Sequence, residues 1–149
     1  MPGKLIRSNT AVLPASAAAV DWPENEGVQQ VSEMVIKKFL QDFCDSDEGI
    51  HFAMVVSVDG LMICHHGDVA DTDLFAALFL ELKIVCEKIV GQLDRGSIEE
   101  IYIRSKSGGV TILPIFDRGY LACLSSATIN AGKVQIRSWK YIKKIYDNL

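Results

Sequence analysis

Residues 96–139 hold the pattern that most restricts how this chain can fold. Three short apolar runs, 98–105, 110–116 and 120–126, are separated by Gly108-Gly109 and by Asp117-Arg118-Gly119. Runs of this length joined by such turn residues pair as neighbouring antiparallel strands. Asn130 then opens a helix that runs to about Tyr146. The stretch carries no constellation of catalytic side chains. It is suited to forming a sheet edge and a surface, which points to binding.

The rest of the chain supplies the partners of this meander. His51 to Val58 is apolar and rich in branched residues, Asp59-Gly60 is a hairpin signal, and 61–65 reads as the return strand. Two helices flank that hairpin. The first is expected over 27–43, with Val28, Val31, Val35, Phe39 and Leu40 as its stripe. The second is expected over 73–93, with N-cap candidates at Asp71, Thr72 and Asp73 and with Gly96 past its end. On the last helix, Val134, Tyr141, Ile142 and Ile145 make the apolar stripe. Pro114 cannot donate to a ladder, so its nitrogen should face a bulge or an unpaired side. Residues 1–24 lack periodicity and read as a tail ahead of a domain over 25–149. Lys4 and Arg7 ahead of an alanine-rich run faintly imitate a secretory signal, but Pro14 and Ser16 interrupt it. The order is α-β-β-α-β-β-β-α, an α+β fold with helices layered on one five-stranded antiparallel sheet.

At 149 residues and 49% hydrophobic, the chain is one domain with a real core and apolar surface to spare. Its net charge of −4 argues against nucleic acid. That charge is uneven. From residue 129 onward there are five cations (Lys133, Arg137, Lys140, Lys143, Lys144) against Asp147, so the remainder carries −8. Lys133, Arg137, Lys140 and Lys144 recur at helical spacing as a basic stripe, either a solvated face or a surface for an acidic partner or anionic membrane. Four cysteines (Cys44, Cys64, Cys86, Cys123) form no CxxC pair and read as free thiols in a reducing cytoplasm. No apolar run is long enough to span a membrane, so no stable membrane insertion is expected.

The second helix is apolar on two sides. At about 100° per residue, Phe75, Leu78, Phe79, Leu82, Val85, Cys86 and Ile89 form a wide face expected to cover the sheet. Ala76, Leu80, Ile84 and Gly91, with Ala77 at the margin, form a narrower one. Glu81 with Lys88, and Lys83 with Glu87, lie on polar seams between them. A helix apolar on both sides must bury both. The narrow face therefore asks for a second chain, unless the first helix covers it.

Candidate chemistry is sparse. Cys64-His65-His66 is the one local group of metal-ligand residue types, and consecutive strand residues point to opposite faces. There is no GxxxxGK[ST] phosphate loop and no GxSxG elbow. No catalytic residue, cofactor or metal is expected.

With this order laid out, the chain resembles the roadblock (dynein light chain) family over roughly residues 27–147. The residues carrying the resemblance are Val55-Val56-Ser57-Val58-Asp59-Gly60-Leu61, 74–78 with Ala76-Ala77, and Ile98-Glu99-Glu100-Ile101-Tyr102-Ile103-Arg104. Val110-Thr111-Ile112-Leu113-Pro114-Ile115, Leu121-Ala122, Asn130-Ala131-Gly132-Lys133 and Ile136-Arg137 continue it. Longin and profilin-like domains share the architecture. The resemblance implies a non-catalytic homodimer or heterodimer whose third strands pair across a two-fold axis and whose second helices pack side by side. The implied interface is Ala76, Ala77, Leu80 and Ile84 with Ile101, Tyr102 and Ile103. The implied partner is a small Ras-like GTPase, met by Glu81, Lys83, Glu87 and Lys88 on the helical platform. Members of this type act by remodelling the GTPase, so Arg95, Arg104 and Arg118 are not expected to serve as arginine fingers. The alternative within the family is a scaffold or motor-adaptor subunit with no effect on GTP turnover.

Overall fold

The computed structural model of the chain describes residues 16–149, with side chains from Val31 onward. The chain divides into two compact units, Met1–Met34 and Val35–Leu149. In the first unit the backbone is helical from Ser16, where α1 (Ser16–Asp45) begins. Residues 16–24, expected as tail, are thus helical. Alanine-rich sequence has the highest helix propensity without needing an apolar period to announce it. Residues 1–15 of the expected tail lie outside the described residues.

The second unit follows the expected order: β1 (Ile50–Ser57), β2 (Met62–His66), α2 (Thr72–Gln92), β3 (Ile101–Ser105), β4 (Gly108–Pro114), β5 (Gly119–Ser126) and α3 (Ala131–Tyr146). The five strands form one sheet in the order β2-β1-β5-β4-β3, antiparallel throughout. Helices cover both of its faces. Ile36, Leu40 and Phe43 of α1 and Val134, Tyr141, Ile142 and Ile145 of α3 pack with Ala53, Val55, Leu113, Leu121 and Cys123 on one face. Ala76 of α2 packs with Phe52, Met54, Val56, Ile112, Tyr120 and Ala122 on the other. Strand β1 is therefore sandwiched, which explains its unbroken apolar run where a one-sided strand would alternate.

The α3 stripe is as expected, and all four of its apolar residues are buried. The α1 stripe is turned. Ile36, Leu40, Phe43 and Cys44 are buried, Phe39 is marginal, and Val28 lies outside the described side chains. The caps match: the Asp71 carboxylate accepts from the Leu74 amide at 3.1 Å, and the Asn130 side-chain oxygen accepts from the Gly132 amide at 2.7 Å.

Two turns differ in detail. The β1–β2 loop closes through the Gly60 amide on the Ser57 carbonyl (3.0 Å), with Gly60 left-handed at φ +83. It is a three-residue hairpin loop, not a two-residue one. In the β3–β4 hairpin the turn falls on Lys106-Ser107, and Gly108-Gly109 already belongs to β4. Glycine is required there by close approach of backbones, since a Cβ on Gly108 would lie 2.5 Å from the Ser125 carbonyl oxygen. Pro114 ends β4 beyond Ile112, where pairing to β3 stops, so its missing N–H costs no ladder bond.

Candidate interaction surface

The α2 helix meets its sheet through small and unusual residues. Ala76 is 0% exposed and is its only buried residue, so the helix axis approaches closely there. Leu80 lies over Gly60, whose missing side chain makes the room: a Cβ at that position would be 2.7 Å from Leu80 Cδ2. Phe75 and Phe79, with ring centroids 6.4 Å apart, and Leu82 pack at the margins of the same core. Lys83 also belongs to this side. Its Nζ stands 4.7 Å from the centre of the Tyr120 ring and 3.2 Å from Glu87 Oε2. Burial alone would lower the Lys83 pKa, but hydrogen bonds to Tyr120 and Glu87 outweigh it and hold the pKa above the ordinary lysine value. A lysine can therefore face the sheet, its stem in apolar contact and its charge satisfied.

This arrangement corrects the assignment of the two helix faces. Ala76 and Leu80 of the narrow face pack on the chain's own sheet, beside Phe75, Phe79 and Leu82 of the wide one. Ala76 is closed to any partner and Leu80 is half-buried in the chain itself. The rest of the wide face is left open: Leu78, Val85 and Ile89 are exposed, with Leu74 and Leu93 beside them, Val85 and Ile89 at 53% each. Ile84 and Ala77 sit on the near flank of that open arc and are exposed as well. Periodicity showed two apolar faces but could not rank them. The sheet contact straddles the two, because it is governed by how closely the helix can approach.

Strand β3 is an edge of the sheet. Ile101 pairs with Ile112 and Ile103 with Val110, so both lie on the sheet face that carries α2. Tyr102, paired with Thr111, lies on the opposite face. Ile101 is half-buried, while Tyr102 and Ile103 are exposed. The four charges expected on the platform do not form one patch. Glu81 and Lys88 are exposed, whereas Lys83 and Glu87 pair with each other and line a cleft. The cleft, of about 250 Å³, is completed by Val58, Ile101, Ile112, Pro114 and Tyr120 among others.

The remaining candidate groups are separated. His65 stacks on Phe52 (centroids 5.8 Å apart), and its Nδ1 lies 3.1 Å from the Gly67 carbonyl. His66 pairs with Ala53 and so faces the other side. Among the described residues no group of three or more His, Cys, Asp or Glu could hold a metal ion. Burial pushes the Cys44 thiol up to about 11, with Asp45 adding to it, and the Cys123 thiol up to about 12. Both thiols are therefore protonated at neutral pH. Among the described residues no helix is long and apolar enough to cross a membrane.

The fold is similar to that of the gliding protein MglB from Thermus thermophilus, with a TM-score of 0.72 at 13% identity over 78% of this chain and 90% of that one. A Roadblock/LC7 domain from Streptomyces avermitilis gives 0.70 at 18% identity over 74% and 94%. An MglB with a tetrameric arrangement gives 0.69 at 14% identity over 74% and 85%. No curated protein matches the chain by sequence. The sequence profile of the Roadblock/LC7 domain matches residues 36–125, which run from the buried part of α1 through β5. The chain belongs to the Roadblock/LC7 domain family.

Proposed function

We propose that this chain is a cytoplasmic, non-catalytic dimeric adaptor that binds a small Ras-like GTPase and biases its nucleotide cycle. The open apolar face of α2 carries the reading. Five large apolar side chains stand exposed on one 21-residue helix. Exposed apolar surface of this extent marks an interface. The interface consists of Ala77, Leu78, Ile84, Val85 and Ile89, extended by edge strand β3 with Ile101, Tyr102 and Ile103. A second copy of the chain covers it. Membership of the Roadblock/LC7 family supports the reading, and so does the tetrameric arrangement of one MglB neighbour.

Pairing two such helices creates a platform that includes Glu81 and Lys88, with the Lys83–Glu87 cleft beside it. The GTPase docks there, and its switch loops are held in a hydrolysis-competent order without a donated arginine. The test uses the chain with small Ras-like GTPases from the same genome, each loaded with a non-hydrolysable GTP analogue or with GDP. Nucleotide-dependent retention on the immobilised chain is expected, together with an altered single-turnover rate of GTP hydrolysis. Retention with an unchanged rate would leave a scaffold or motor adaptor, and no retention of any GTPase would overturn the reading.

A further inference from the structure

The outer face of α3 lies on the other side of the sheet from α2. Opposite its buried stripe stand Trp139, 57% exposed, and Ile136, 66% exposed, one helical turn apart. Lys133, Lys140, Lys143 and Lys144 surround them, all exposed. Asp47 is taken up by Arg137 at 3.6 Å, Glu48 shares a cleft with Lys133, and Asp147 caps the helix. Among the described residues, Lys140, Lys143 and Lys144 form no ion pair with a carboxylate. Lys144 lies instead over the rings of Phe39 and Tyr141, at 5.9 and 5.5 Å.

We propose that this face docks the protein reversibly on an anionic lipid surface. Protein interfaces concentrate apolar residues and arginine at their centre and are depleted in lysine. Here lysines outnumber arginine by four to one and are interleaved with the apolar pair. That mixture suits a headgroup layer, where an indole sits at the boundary and flexible lysine stems reach phosphate without fixed geometry. The chain is otherwise acidic, so an anionic surface repels the rest of it and orients α3 inward. The contact is peripheral, since no described helix can cross a membrane. It leaves the α2 face free.

The test is co-sedimentation of the full chain with vesicles of phosphatidylcholine alone, and of phosphatidylcholine and phosphatidylglycerol in equal parts. Binding is expected to the second alone and to weaken with salt. In a Trp22→Phe variant, which leaves Trp139 as the single tryptophan, indole emission should shift to the blue on binding. Lys140→Gln with Lys143→Gln should lower partitioning about 25-fold, at about fivefold per basic side chain near an anionic surface. Both positions are exposed, and an unchanged circular dichroism spectrum would show that the variant is folded. Failure to bind either vesicle would overturn the proposal, as would equal binding to both. Retention on immobilised polyglutamate without any vesicle binding would overturn it in favour of an acidic protein partner.

Discussion

Ala76 and Ala77 are adjacent and chemically identical, but the fold gives them opposite surroundings. Ala76 is sealed between α2 and the sheet, while Ala77 is exposed. The two alanines report which way the helix is turned. Ala76→Leu should lower stability in chemical denaturation by about 1–3 kcal/mol at every protein concentration, since it forces three extra carbons into a closed contact. Ala77→Leu should change only the part of the stability that depends on concentration. Equal effects at the two positions would mean that the helix is rotated from the orientation described here. Gly60 belongs to the same contact. Its left-handed φ of +83 closes the hairpin, and its bare Cα gives Leu80 its seat. One residue thus answers to a local and a long-range demand. Phe116 has a different balance. It adopts φ +50, unusual for an aromatic residue, and its ring meets Tyr146 edge-on at 4.8 Å.

Among the elements, α2 separates the two jobs of the molecule. Its Ala76–Lys83 side belongs to the chain, and its Val85–Ile89 side faces outward. Val85→Asp combined with Ile89→Asp should abolish self-association and leave the fold intact, because exposed substitutions cost no more than about 0.5 kcal/mol each. Sedimentation at matched concentrations would show it, and a variant that stayed dimeric would remove α2 from the interface. This element also marks where sequence reading stops. Its N-cap Asp71 and its length were legible, because caps and periods are local. The meander, the Asn130 cap and the four buried residues of α3 were legible for the same reason. The rotation of α2 was not, because it depends on Gly60, Tyr120 and the space above β1, all distant in sequence. The turn at Lys106-Ser107 was hidden similarly: Gly108-Gly109 looked like turn chemistry but answers to the backbone of β5. The covering of both sheet faces was visible in the apolar run of β1 and was not drawn from it. The open face of α2 had its signal in the breadth of the apolar arc, only part of which the sheet covers.

At the scale of the whole molecule, the sheet separates two surfaces of different chemistry. One is the apolar arc of α2 beside an edge strand. The other is the basic, aromatic crest of α3. The charge along the sequence is uneven as well, with +4 from residue 129 onward and −8 before it. A molecule so divided can engage a partner chain on one side and an anionic surface on the other without competition between them. The functional account rests on surfaces and on what covers them. The central claim is that a second copy of this chain covers the open face of α2. The most direct test is multi-angle light scattering across a dilution series. The account predicts a particle of twice the 16.4 kDa chain mass, dissociating only on high dilution. A mass of one chain at every concentration would contradict it.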